Sequence, residues 1–436
     1  VDLSKIDVFV APRPKRWMIR ATTVINRVAM LHGVSGLRDI WPFSLVPGIR
    51  GISNVRIVDL PDADFERLKA TCGAGKATFI VPNHPEFFTD WMIDKELLWR
   101  TAPMAASWAT HTVVNGLGGL MQKFWLANNL IAQIPGNSDG SRRYSVEWAA
   151  KGNGVLLHPE GSVGWHNDWI APLLPGAVEM AADALALGRG TMPDFRTFVV
   201  PVGWKFVFLD DAEPGLRKEA AYVRRRLGLP PARRAVSSAQ QVFDIYDALT
   251  RRDFERYGLT ASGSSPLRQR HAALLDLLGG MLTEAIGFDK TNASREELLR
   301  AARRWLRENR SVEKNRREQV RELLDDLARV ARLGAFAFEA EDITQEQVAE
   351  HLKRLRNDYC KGTLRDSINR FVPQPVAPRK AIIRVPEPIE ILDTKPDVEK
   401  ILAELRHRLQ AALDQINAEL RGQGAFRVEK NPFRQD

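Results

Sequence analysis

Short runs of β-branched and aromatic residues occupy two stretches of this chain, and a long region of helical period lies between them. Ala77-Thr78-Phe79-Ile80-Val81 is an apolar run of strand length, and Trp91 to Leu98 reads as the opening turns of a helix. A second strand is predicted across Val199 to Phe208. From about Ala212 to Val372 the strand signals fade. Leu267 to Ile286 is amphipathic at helical spacing, Arg295 to Leu306 carries several arginines, and Val320 to Leu333 repeats apolar positions with the same period. Strand character returns at Lys380 to Ile391, and a helix from Pro396 to Leu420 follows. Ser262-Gly263-Ser264-Ser265 and Pro373-Gln374-Pro375-Val376-Ala377-Pro378 mark connections, and no internal repeat is present. The pattern is that of an α/β region interrupted by a helical one.

The first part of the chain has a different pattern. Between Lys15 and Val34, Trp17, Met18, Ile19, Val24, Ile25, Val28, Met30 and Leu31 are interspersed with Lys15, Arg16, Arg20 and Arg27. A basic amphipathic helix at a membrane surface has this mixture, and so does a helix packed on its own core. Trp41, Pro42 and Phe43 extend the apolar character. No uninterrupted run reaches the ~20 apolar residues that span a bilayer as a helix, so attachment would be peripheral, at the cytoplasmic face.

Composition narrows the classes. The chain has 436 residues, of which 44% are hydrophobic, enough for more than one domain and a substantial core. Two cysteines over that length give no disulfide framework, which fits a reducing compartment, and no signal peptide is visible near Val1. The net charge of +9 favours anionic partners. The chain carries no RNA-binding signature, zinc finger or helix-turn-helix, so nucleic acid is not the expected partner. An anionic lipid surface is the better match to the charge.

Candidate chemistry concentrates in two segments. Asn83-His84-Pro85-Glu86-Phe87-Phe88-Thr89-Asp90 directly follows the first predicted strand, which puts His84 at a strand's carboxyl end, where α/β sheets gather reacting groups. A neutral imidazole there takes a proton from a hydroxyl near pH 7 if a carboxylate fixes its tautomer, and Asp90 is the natural partner. Taken alone, this pair reads as a helix cap beside a hydrogen-bonded loop histidine. The second segment is His158-Pro159-Glu160-Gly161-Ser162, followed by Pro175-Gly176. Its carboxylate can accept a hydroxyl hydrogen bond, and its glycine admits close approach of a ligand; both also suit a simple turn. His158, Ser162, His166 and Asp168 add polar groups nearby, but His158 and His166 lack a metal-ligand pattern, so no metal is expected. Without a Gly-x-Ser-x-Gly elbow, and with Cys72 and Cys360 lacking any flanking signature, a covalent nucleophile is not expected either.

Four ordered blocks carry a resemblance. They are Asn83 to Asp90, Leu130 to Pro135, His158 to Ser162 with Pro172 to Gly176, and Phe198-Val199-Val200-Pro201-Val202. In order and spacing the chain resembles the glycerolipid acyltransferase family, which includes the lysophosphatidic acid acyltransferases. The resemblance implies an α/β fold with a mixed sheet flanked by helices. It also implies His84 and Asp90 as the catalytic pair, and Glu160, Gly161 and Ser162 as acceptor-binding residues. An acyl-CoA or acyl carrier protein would be the donor, a lysophospholipid the acceptor, and no bound cofactor would be needed. Lys380 to Ile391 resembles the family's final strand and Glu-Pro-Ile turn. That places a discontinuous acyltransferase domain at residues 50–211 plus 376–425, an α-helical insertion at 212–375, and a basic N-terminal region at 1–49.

Departures from the family pattern matter as much. The family places four residues between histidine and aspartate, and this chain has five. On a regular helix one extra residue would turn the carboxylate by ~100°, so Pro85 should hold His84 in a loop that absorbs it; Glu86 and Asp94 are substitute partners. Ile134, Val163 and Leu174 stand where phosphate-binding members carry arginines and a lysine. A phosphate-bearing acceptor would therefore use Arg142, Arg143 or Lys151, or else Lys205, each of which is also readable as a solvated charge. Other acceptors, such as an ornithine lipid or a glycolipid, become competitors, as does a catalytically idle lipid-binding module. Phe87, Phe88, Trp91 and Trp125 are candidate walls of an acyl tunnel. Within the insertion, Arg300, Arg303, Arg304, Arg307, Arg316 and Arg317 read as a solvated basic face or a surface for a carrier, head group or membrane.

Overall fold

The computed structural model describes the chain except for residues 1–8, 117–118, 120, 135–136, 260–264, 290–293, 372–374, 426 and 435–436. Pro135 of the second block, Ser262-Gly263-Ser264 and Pro373-Gln374 lie outside the described residues. Among those described, the strands in chain order are β1 (Val55–Asp59), β2 (Lys76–Pro82), β3 (Ala106–Thr110), β4 (Leu130–Gln133), β5 (Val155–Leu156), β6 (Arg196–Phe208), β7 (Asp342–Thr344), β8 (Arg379–Arg384), β9 (Ile389–Ile391) and β10 (Val428–Lys430). Two compact units result. Val1–Ala212 with Thr363–Phe426 forms one, and Glu213–Gly362 with Arg427–Asp436 forms the other.

The first unit is built on an eight-stranded mixed sheet in the order β1-β8-β6-β2-β5-β3-β4, with β9 beside β6. The strands from β6 through β4 run parallel, whereas β8 and β9 both run antiparallel to β6. At the centre lies β6. Every residue from Thr197 to Phe208 is buried, as expected of a strand covered on both faces. Its first half pairs with β2 and β9, and its second half with β8. The segment Lys380 to Ile391 forms two strands instead of one. Pro386 and Pro388 fall between β8 and β9, and a proline cannot donate to a sheet ladder.

Alternation along the strands fills two cores, one on each face. Phe79, Val81, Val199, Val207 and Ile382 pack with Met180, Leu185, Leu405 and Leu409, from the helices Gly176–Arg189 and Val398–Gly422. Ile80, Val200, Val202, Trp204, Ala381 and Ile383 pack with Leu68, Ile93 and Leu97, from the helices Asp62–Ala70 and Phe88–Thr101. This period of two buries both faces of the sheet, and the unit is an α/β layered structure. Strands β1 and β3 carry no strong pattern of their own, with half-exposed positions toward their ends.

The second unit is helical. Leu274, Leu278, Leu282, Leu298, Ala302, Leu323, Leu327 and Val330 form one core from the helices Leu267–Ile286, Arg295–Glu308 and Lys314–Ala331. Ser294 and Glu297 make a capping box at the start of the second of these. The terminal strand β10 pairs antiparallel with β7, so the end of the chain belongs to the helical unit. The unit begins one residue after the boundary read from sequence and ends at Gly362, ahead of residue 375.

Near the start of the chain, an α-helix over Arg16–Ile25 continues as a wider π-helical turn over Asn26–His32. No helix among the described residues is long and apolar enough to cross a membrane.

Candidate active site

The site forms where the loop after β2 meets the loop after β5. Asn83 fixes the first loop: its side-chain amide donates to the Trp204 carbonyl at 2.9 Å, and its side-chain oxygen accepts the Trp204 N–H at 2.8 Å. Asn83 is 1% exposed. Losing both bonds would orphan two backbone groups inside β6, which explains why an amide side chain of this length is needed directly before His84.

His84 sits in the loop, and the helix Phe88–Thr101 places Asp90 in its first turn. The Asp90 carboxylate oxygen Oδ2 lies 2.7 Å from His84 Nδ1 and accepts the Glu86 N–H at 2.9 Å. The five-residue spacing is absorbed by the turn at Glu86, whose backbone folds back onto the carboxylate. Glu86 does not substitute for Asp90, because its own side chain pairs with Arg379 at 2.5 Å. With Nδ1 on Asp90, Nε2 is the ring nitrogen left to the cavity that His84 lines.

Glu160 braces the pair. One oxygen accepts the His84 N–H at 2.7 Å and the other the Ala171 N–H at 3.0 Å, so its carboxylate ties two loops together and does not line the cavity. Gly161 and Ser162 do line it. Gly161 has φ +69°, and a Cβ there would lie 2.4 Å from Leu174 Cδ1, so both backbone and space favour glycine.

Sequence reasoning missed a second pair. The His158 and His84 rings stack with centroids 4.0 Å apart and planes 14° apart. His158 Nδ1 donates to the Asn83 carbonyl at 2.9 Å, and Nε2 lies 3.3 Å from Asp94 Oδ2. Asp90 and Asp94 are one helical turn apart, so one helix face serves both rings. That spacing was the available signal.

The electrostatics differ between the rings. Burial, and then the charge of His158, holds the His84 imidazole well below the ordinary 6.5. Burial also opposes charge on His158, but Asp94, the Asn83 carbonyl and Glu160 outweigh it and raise that ring. Burial lifts the Asp90 carboxyl well above its usual range, Glu86 adds to this, and the Glu86 N–H opposes it. Atoms of His84, Asp90 and His158 lie within 4.8 Å of one another, close enough to suggest a metal. An imidazole lone pair lies in its ring plane, however, and stacked rings do not aim at a common point. Both His158 nitrogens are also hydrogen-bonded. The cluster is built to hold protons.

A cavity of about 670 Å3 opens beside His84, at the carboxyl ends of the parallel strands. Phe87, Phe88, Trp91 and Trp125 line it, as do Ile134, Val163 and Leu174. The N-termini of the helices Asp139–Ala150 and Gly176–Arg189 also border it, through Ser138 and Gly176. Arg142 lines the cavity and pairs with Glu179 at 2.6 Å and Asp183 at 3.6 Å. Arg143 borders a shallower neighbouring depression with Asp139, and exposed Lys151 ends the helix Asp139–Ala150. Lys205 is buried against Asp168 and Asn417. Of the candidate cations, Arg142 alone reaches the cavity. Burial pushes the Cys72 thiol up, which argues against a thiolate there.

Compared with models of known families and with characterised proteins, the chain matches none.

Proposed function

We propose that this protein moves a fatty acyl group from a thioester donor, acyl-CoA or acyl carrier protein, to a hydroxyl of a lysophospholipid. The first acceptor to consider is 1-acyl-glycerol-3-phosphate. The observation that carries the reading is the His84–Asp90 pair, its free nitrogen facing a largely aromatic and aliphatic cavity at the sheet's carboxyl edge. In the reaction, His84 Nε2 takes the acceptor's hydroxyl proton as that oxygen bonds to the thioester carbon. Backbone amides steady the tetrahedral oxyanion. The C–S bond then breaks and the thiolate takes the proton from His84. No covalent enzyme intermediate is involved, and the glycerolipid acyltransferase fold is the matching architecture.

Two helix N-termini and Arg142 favour an anionic head group. A second reading, a lipid acceptor without a phosphomonoester such as an ornithine lipid or glycolipid, is favoured by the two carboxylates that already occupy Arg142.

Access to lipid would come from the N-terminal region. The helix Arg16–Ile25 buries Ile19, Thr22 and Thr23 while leaving Trp17 64%, Val24 60% and Ile25 55% exposed. Its outward face sets these large apolar side chains beside exposed Arg16 and Arg20. Nearby in sequence, Trp41 is 77% and Leu45 69% exposed. This combination suits peripheral attachment to an anionic cytoplasmic leaflet.

The test is acyl transfer by purified protein in liposomes, with palmitoyl-CoA or palmitoyl carrier protein, offered lysophosphatidic acid and non-phosphate lysolipids in parallel. Transfer that disappears in His84→Ala is the expected result. Transfer confined to a non-phosphate acceptor selects the second reading, and no transfer from either donor overturns both.

A further inference from the structure

We propose that His158, held as an imidazolium between Asp94 and the Asn83 carbonyl, is a positioning residue that keeps the stacked His84 neutral and ready to take a proton. The inference deepens the acyl-transfer reading and rests on it. Its basis is the hydrogen-bond chemistry of the second ring. A carbonyl oxygen only accepts, so His158 Nδ1 must carry hydrogen to meet Asn83 at 2.9 Å. Nε2 and Asp94 Oδ2, at 3.3 Å, then share one further proton, and on nitrogen it makes an imidazolium–carboxylate pair. That charge lies parallel to His84 at 4.0 Å between centroids.

A base paired with a carboxylate has an inherent problem: the same carboxylate that fixes its tautomer favours its protonated form. A second cation against the ring counters this without touching Nε2. The surrounding groups leave His158 as the cation in direct contact. The helix Phe88–Thr101 presents Asp90, Asp94 and Lys95, and the loop after β2 presents Glu86, which Arg379 of β8 pairs with. The loop after β5 presents Glu160, toward which Arg406 of the helix Val398–Gly422 acts. From β6, Trp204 meets the His158 ring edge-on at 5.8 Å. The direction of both rings agrees, His84 below the ordinary histidine value and His158 above it.

The experiment is an NMR titration of the imidazoles in histidine-labelled full-length protein, for wild type, His158→Phe and Asp94→Asn, together with the pH profile of transfer. His158→Phe keeps a stacked ring and removes the charge; Asp94→Asn keeps the shape and removes the counter-ion. In wild type, His158 titrates at a higher pH than His84. In His158→Phe the His84 midpoint rises by about one pH unit or more, the acid limb of kcat/KM moves with it, and Asp94→Asn gives a smaller rise. A His84 midpoint unchanged in both variants, or a wild type in which His84 is the ring charged at the higher pH, overturns the proposal. If His158→Phe does not fold, Asp94→Asn and the wild-type order decide. The titration needs no turnover: a shifted midpoint without any transfer sinks the acyltransferase reading alone, and transfer without a shift sinks the coupling alone.

Discussion

Both units bury charged groups, yet they do so to different ends. In the helical unit Arg356 pairs with Glu219 at 2.7 Å, and Asp326 receives Arg256 and Arg329, each at 2.9 Å. His271 is 7% exposed, gives Nε2 to the Val330 carbonyl at 2.9 Å, and is held below the ordinary histidine value by burial. In the sheet unit His84 is also held low by burial, but one ring nitrogen faces a cavity and a carboxylate holds the other. A perturbed titration is therefore common to both regions and marks a site in neither by itself. The two are separated by an unused nitrogen with space in front of it.

The sharpest way to break that comparison is to delete each histidine. His84→Ala should reduce transfer by ~10^2- to 10^4-fold, the usual contribution of a positioned base. His271→Ala should leave the rate of the folded protein unchanged while lowering stability by ~1–3 kcal/mol, through the lost bond to the Val330 carbonyl and the space the buried ring leaves. Equal rate losses in the two variants, measured as kcat/KM on purified protein, would remove the distinction.

The next effect is on packing. Leu278 is fully buried in the helical core, and Leu278→Ala should cost ~2–5 kcal/mol in chemical denaturation. Because that core holds no reacting group, the rate per folded molecule should stay at the wild-type level. Asn83→Ala should do the reverse. Its cost in stability is smaller, ~1–3 kcal/mol for the orphaned Trp204 groups, but it releases the residue before His84. A misplacement near 1 Å can lower the rate by ~10^2-fold. Transfer at the wild-type rate in Asn83→Ala would show that the clamp serves β6 alone.

How far the sequence reveals these regions depends on where each keeps its information. The Leu267–Ile286 helix carries its period in its own residues, and its bounds are those read from the pattern. Strand β2 and the central β6 are legible because burial on both faces leaves an apolar run. Strands β1 and β3 are not, since they are short and hold their place through partners distant in sequence. At the site, motif order brings out His84 and Asp90 as a pair, and the structure sets them 2.7 Å apart. The His158–Asp94 pair joins residues 64 apart, Glu160 ties two loops together, and β10 returns to β7 from the end of the chain. The one-turn step from Asp90 to Asp94 marks a second carboxylate on the same helix face, but local spacing does not name the distant partner in any of these closures. Arg142 is readable as a cation and not as a paired one, since Glu179 lies on a different helix.

The smallest effect concerns pH, and it separates the two low histidines by whether a change in charge reaches the rate or only the stability. Both His84 and His271 have folded values below 6.5. As pH falls below about 6.5, the unfolded chain takes up protons that the folded rings refuse, so their contribution is whole above that value and is lost toward their folded values. His158 has the opposite sign: its contribution is whole below 6.5 and is lost as pH rises through its raised folded value. Thermal unfolding between pH 4 and 8 should therefore lose less stability on the acid side in His271→Phe, which has one refusing ring fewer. The kcat/KM profile of the same variant should not move, because its acid limb belongs to His84 alone and should lie below 6.5. An acid limb that shifts in His271→Phe would mean that the helical core reports on the reacting site, and the two regions could no longer be treated as chemically separate.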